Sequence, residues 1–188
     1  MRSLPNAVAG LEPGAVRGLF QRHSSPKVRG LRASTGGGRW GPEHGYPVLY
    51  LGRPEASIVV EAHRSLVEGV EGMRPDLVGP RQLHTVDVAI TNLLDLRIPA
   101  NVEAVGLDGD ALAGPWAPCA RVGSAAHRLG LHGIIAPAAT GIGETLALFE
   151  TNVVAAGEWP EIVDTAMWST LPPDPRRLRL ISETGTDG

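Results

Sequence analysis

The chain has a single cysteine, Cys119, among 188 residues, too few for an internal disulfide, so its fold is expected to hold without cross-links. No apolar run approaches the ~20 residues of a bilayer-spanning helix. The N-terminus also lacks the apolar core of a secretory signal, and together these absences predict a cytosolic protein with no membrane association. Positive charge is not in excess either. A formal net charge of −3 and a pI near 6.1 give no general attraction to phosphate backbones or anionic lipid, which argues against direct nucleic-acid binding while leaving room for a local anion pocket. Familiar motifs are missing as well. There is no Gly-Lys-Ser/Thr ending of a P-loop and no Gly-x-Ser-x-Gly elbow. His44, His63, His84, His127 and His132 show no metal-type spacing with Cys119 or with carboxylates, so neither a structural nor a catalytic zinc is expected.

What is present is material for one domain. At 43% hydrophobic and 20% charged residues the chain can bury a core, and 188 residues do not require a second one. The 24 glycines and 16 prolines imply many turns. Residues 1–31 mix Pro, Gly, Arg and Ser with scattered apolar positions, which reads as a leading segment with at most one short helix. Thr35 to Pro42 reads as a glycine-rich loop, and Val48–Leu51 as a short strand. After Pro54, the spacing of Ile58, Val59, Ala62, Leu66 and Val70 predicts a helix that Gly72 and Pro75 end. Val86, Val88 and Ile90 alternate as a half-buried strand that Leu94–Leu96 could extend. A helix over about Cys119–Leu129 and strands at Ile134–Ala136 and Leu146–Phe149 follow. The rest, 156–188, reads as a C-terminal helix and a Pro- and Arg-rich tail in which Arg176, Arg177 and Arg179 are solvated. The central domain is thus expected at 32–155.

Arg39 stands in the glycine-rich stretch, where a guanidinium and nearby backbone amides could grip a phosphate together. The competing reading is a surface turn with Arg39 stacked on Trp40. Glu61 falls at the edge of the apolar stripe of its helix, either at a cleft rim or paired in solvent with Arg64 or Ser65. Tyr50 suits a core strand or a ligand platform, since its ring can be buried and its hydroxyl wet. His132, before the Ile134 strand, could touch a ligand or cap a turn.

The run Gly37-Gly38-Arg39-Trp40, then Pro47-Val48-Leu49-Tyr50-Leu51, then Glu61 resembles the N-terminal signature of RES-domain proteins. Leu94-Asp95-Leu96, His132 through Pro137, and Leu146 through Phe149 match later blocks of that family in order, so the likeness spans most of 36–150. The resemblance implies an α+β fold similar to ADP-ribosyltransferases and diphtheria-type toxins, with two small sheets and flanking helices around an NAD cleft. It implies an enzyme that cleaves the nicotinamide–ribose bond of NAD by hydrolysis or phosphorolysis, as the toxin of a toxin–antitoxin pair. By position, Arg39 would hold the phosphates or ribose, Tyr50 would pack on the nicotinamide side, and Glu61 would act at the ribose. Trp40, His132, Ala138, Thr140 and Thr145 complete the substrate-binding set that the resemblance implies. NAD is then a substrate, not a cofactor, and the protein partner is an Xre-type helix-turn-helix antitoxin. The oligomeric state stays open, a homo-oligomer included.

Two positions depart from the family pattern. The family serine falls on Ala138 and a frequent asparagine on Thr145. Thr140, Thr145 or Ser124 is the substitute hydroxyl the chain offers. The alternatives to an active NAD-degrading toxin are a weakened NAD- or partner-binding module and an ADP-ribosyltransferase that modifies a protein.

Overall fold

The structure is a computed structural model that describes residues 3–176. It is an α+β domain. Helix α1 (Leu4–Ala9) leads into strand β1 (Gly14–Ser24), followed by the hairpin of β2 (Ser34–Gly38) and β3 (Gly41–Arg53). Helix α2 (Glu55–His63) runs on into a π-turn at Arg64–Glu68 and, past a 3-10 turn at Pro75–Leu77, the chain enters the long strand β4 (Arg81–Asp95). Helices α3 (Pro99–Ala104), α4 (Gly109–Ala113) and α5 (Trp116–Arg128) precede β5 (Gly133–Pro137) and β6 (Glu144–Phe149). Helix α6 (Glu150–Ala155) and strand β7 (Glu161–Trp168) end the described chain. None of the described helices is long and apolar enough to cross a membrane.

The seven strands share hydrogen bonds in the order β1-β3-β6-β5-β4-β7, with β2 on β3, and β1 also pairs β4, so the sheet curls back on itself. Two halves are recognisable. One is β1, β4 and β7; the other is β2, β3, β6 and β5. They meet where β4 and β5 run parallel and at a single β1–β3 pair, Gln21 with Gly52. The curl encloses a core of Phe20, Leu49, Leu51, Val86, Leu146 and Leu148, all nearly or fully buried. On the outer face of β3, β5 and β6, helix α5 packs Cys119, Val122 and Ala126 against Trp40, Phe149 and Ile134. Alternation explains the division, because successive side chains of a strand go to opposite faces.

Four expectations change. The leading segment is not peripheral: β1 lies within it and pairs β4 from Gly14 to Ser24, since Val16 and Phe20 give it an apolar face that only the sheet can bury. The glycine-rich stretch forms β2 and a tight turn at Arg39 and Trp40. Near the C-terminus, Glu161–Trp168 is a strand, not a helix, because the unpaired edge of β4 accepts it from Asp87 to Arg81. Arg176 is not free in solvent. It pairs with Asp174 at 2.7 Å and with Glu68 of the π-turn, while Arg177 and Arg179 lie outside the described residues.

Candidate functional site

The site is set by the outward face of the β3–β6–β5 half. Register places Tyr50 beside Ala147 and Gly52 beside Thr145, with Ala136 across from Thr145. These side chains share one face, and at Gly52, Thr145 and Ala136 they are small. Helix α5 covers one end of this face, and α2 rises at the other, where Ile58 approaches Gly52. Between the two helices Ala136, Ala147 and Gly52 are buried, and Thr145 at the α2 end is half-buried.

Arg39 reaches this region from the β2–β3 turn. One of its terminal nitrogens donates to the carbonyls of Gly114 at 3.0 Å and Ala111 at 3.4 Å, so the guanidinium is held against the α4–α5 connection. The turn is tied to its own strand at two points. The Trp40 N–H donates to the Tyr50 hydroxyl oxygen at 3.0 Å, and the Tyr46 hydroxyl donates to the Trp40 carbonyl at 2.9 Å. Helix α5 presses on the same peptide: a Cβ at Gly123 would sit 2.0 Å from the Trp40 oxygen. Glycine is needed there for space alone. Burial pushes the Tyr50 phenol up to about 12, with the Trp40 bond and the nearby Arg39 charge pulling weakly the other way. The phenol is neutral and keeps its own proton to donate.

Glu61 lies on α2, two residues before its end at His63. Its carboxylate is 3.8 Å from Arg64 and 49% exposed. Crowding by surrounding chain still raises its pKa, against the lowering effects of Arg64, Arg39 and Arg176; with half the side chain in water, solvent limits the size of that rise. The presence of Arg39 among those charges is the geometric point. Residues 22 positions apart in sequence, one on a hairpin turn and the other on a helix, are close enough to act on one another electrostatically.

One residue that sequence reasoning missed belongs with them. Ser57, on α2 and four residues before Glu61, shares its helix face and is fully buried. Its hydroxyl is 3.1 Å from that of Thr140, whose oxygen also accepts the Ile142 N–H in the β5–β6 loop. Arg64 donates to the Ala139 carbonyl at 3.1 Å and ties the same loop to the end of α2. Only an i, i+4 search from Glu61 would have flagged Ser57.

Other sequence candidates fall away from the group. The indole of Trp40 is 1% exposed and belongs to the core under α5, so it does not face a ligand; nor does Arg39 stack on it. His132 lies four residues before Ala136 on β5, about 13 Å away at ~3.3 Å per residue. There its Nδ1 meets Glu158 at 2.8 Å, and the same carboxylate accepts the Thr91 N–H at 3.0 Å and hydroxyl at 2.6 Å. That is a strand-end latch. Ala138 is buried, its N–H donating to Gly143 and its carbonyl accepting from Gly141, and it brings no polar side chain. Ser124 sits beside the Tyr46 hydroxyl, away from Glu61. Thr140 and Thr145 stay near α2, Thr140 against Ser57 and Thr145 beside Gly52.

Two surface cavities lie outside this group. One of about 220 Å³ runs along the hairpin, past Gly36–Gly38, Glu43 and Trp116. The other, about 430 Å³, opens between Ser25–Lys27 and Leu66–Arg81.

Similarity to known proteins coincides with these elements. The model of the family described as RES domain matches residues 16–171, a span that includes most of β1 and all of β7. The proteins named NAD(+) phosphorylase MbcT from Mycobacterium bovis and Mycobacterium tuberculosis are 36% identical over 115 residues. That stretch covers 61% of this chain and 62% of theirs, so the chain spans less than two thirds of these relatives. Among solved structures, the crystal structure of the Mycobacterium tuberculosis MbcT–MbcA toxin–antitoxin complex aligns with a TM-score of 0.77 at 26% identity, covering 88% of this chain and 92% of that one.

Proposed function

The chain belongs to the RES domain family, and we propose that it degrades NAD by breaking the nicotinamide–ribose bond, as the toxin of a toxin–antitoxin pair. The observation that supports this reading is that the Arg39 charge reaches both Tyr50 and Glu61, in a chain similar to proteins named for NAD phosphorolysis.

The chemistry asks for two things that these residues supply. A dinucleotide must be held by its phosphates, and Arg39 is positioned to exchange neutral carbonyls of Ala111 and Gly114 for a charged diphosphate, a stronger hydrogen-bonding partner. As the C–N bond breaks, its electron pair leaves with nicotinamide and positive charge grows on the ribose. The Glu61 carboxylate stabilises that charge, and an oxygen of the acceptor then bonds to the ribose carbon. The names of the relatives favour phosphate as acceptor over water. The phenol of Tyr50, beside Arg39, offers one proton for hydrogen bonding. An Xre-type helix-turn-helix antitoxin is the proposed protein partner, in line with the toxin–antitoxin complex of the structural relative.

Incubation with NAD, with and without inorganic phosphate, tests the reading. Release of nicotinamide, with ADP-ribose 1-phosphate formed only when phosphate is present, is the expected result. Intact NAD after prolonged incubation at high protein concentration would reject it. Ala138 favours one other reading, since no hydroxyl stands at that point of the β5–β6 hairpin: a module that binds NAD without turning it over. Calorimetry then gives binding without nicotinamide release, and Ala138→Ser restores turnover.

A further inference from the structure

The β1–β4 end of the sheet carries positive charge that NAD cleavage does not use. Arg81, at the start of β4, has a terminal nitrogen 3.2 Å from the His23 Nδ1, yet its Nε is buried without a hydrogen-bond partner. Arg22, the neighbour of His23 on β1, likewise leaves a terminal nitrogen buried and unpartnered. No described carboxylate forms an ion pair with either guanidinium. His23 offers no counter-charge: burial and the two arginines push its pKa down to about 4, so the ring is neutral. A guanidinium keeps its charge at any ordinary pH, and these two, half-buried and without a carboxylate partner, favour an anion nearby.

Arg81 also forms part of the wall of the 430 Å³ cavity. Lys27 stands exposed at its rim, Ser25 adds a hydroxyl, and Leu66, Met73 and Leu77 make the remainder apolar. Two of the acids on the surrounding elements are engaged elsewhere, Asp76 with Arg74 and Glu68 with Arg176, and Glu71 is exposed. The volume lies within the ~300–1,000 Å³ range of small-molecule sites.

We propose that this cavity is a second ligand site, for a small organic anion that carries one phosphate or carboxylate group on an apolar body. Arg81 and Lys27 take the anionic group, and Leu66, Met73 and Leu77 cover the body. Leu66 belongs to the π-turn that continues α2, five residues after Glu61, so an occupant bears on the helix that carries the proposed reacting carboxylate.

Isothermal titration of an Arg39→Ala protein, in which the proposed NAD site is disabled, tests the assignment with naphthyl phosphate and naphthoate. Inorganic phosphate and naphthol serve as probes that carry only the anion or only the apolar body. One-to-one binding of a naphthyl anion, at least about tenfold tighter than either half, is expected, and the two anions distinguish a phosphate from a carboxylate ligand. Arg81→Gln is expected to weaken it about tenfold. Gly79→Leu provides a second variant that does not touch the charges: Gly79 lines the cavity and a Cβ there meets nothing within 4 Å, so the larger side chain fits without displacing its neighbours and is expected to narrow the cavity and weaken the probe. Absence of saturable binding, or unchanged affinity in Gly79→Leu, overturns the proposal.

Discussion

The backbone N–H of Trp40 donates to the Tyr50 hydroxyl oxygen at 3.0 Å, which fastens the tip of the β2–β3 hairpin to the middle of its own strand. The hairpin can curl this closely because Gly38 has no side chain; a Cβ there would lie 2.5 Å from the Tyr50 oxygen. Arg39 is carried by the peptide so held.

Tyr50→Phe removes the acceptor and leaves the Trp40 N–H unsatisfied. A stability loss of about 1–2 kcal/mol is expected in urea denaturation. NAD cleavage should fall further than stability explains, by about tenfold or more, because the turn that aims Arg39 loses its anchor. Equal activity in the variant would contradict this.

Gly123→Ala tests the contact of α5 with the hairpin. With only 2.0 Å between the new Cβ and the Trp40 oxygen, helix and turn must separate, at a cost of about 1–3 kcal/mol. Gly109→Ala is the control. No atom lies within 4 Å of its Cβ, and the denaturation midpoint should hold or rise.

Glu61 gives a pH dependence with a definite sign. Its folded-state pKa is raised, so the folded protein holds that proton more tightly than the unfolded chain does. The stability linked to the protonated form is complete below the unfolded carboxylate value and is lost as pH rises through the folded one. Glu61→Gln should therefore match the parent in acid and exceed it in thermal stability at neutral pH. Activity runs the opposite way, since the carboxylate must be ionised: cleavage rises with pH to a plateau above the raised pKa, and Glu61→Gln lowers it by about 10²–10³-fold.

His132 and Glu158 separate structure from activity. Burial pushes the Glu158 pKa up, but the bonds from Thr91 and His132 outweigh it and leave the value lowered. The stability from this latch is present above the ordinary carboxylate range and is lost as pH falls through the lowered value. Glu158→Gln should lower stability at pH 7 by about 1 kcal/mol and leave NAD cleavage within about twofold. A large loss of activity would return His132 to the site.

Much of the central fold was legible because the signals were local. The helix after Pro54 was visible from Ile58, Val59 and Ala62, and the strands of β3, β5 and β6 from short apolar runs bounded by Gly and Pro. β1 was illegible. Its apolar positions, Val16 and Phe20, are diluted by glycine and arginine, and its partners on β4 lie 58 to 79 positions away, from Ser24–Gln82 to Gly14–Leu93. β7 was missed for a related reason: six of its eight side chains are exposed, so little hydrophobic alternation marks it, and the open edge of β4 recruits it by backbone pairing.

The amino-acid sequence by itself determined which groups could act at a phosphate or at a ribose, because a guanidinium among glycines and a carboxylate on an amphipathic helix are properties of residue type and spacing. Tertiary structure alone decided which of them meet. It turned Trp40 inward, moved His132 to the far end of β5, and brought Ser57 against Thr140 across 83 positions. Convergence of that kind depends on strand register and helix packing, which bring distant segments together and leave no trace in local pattern.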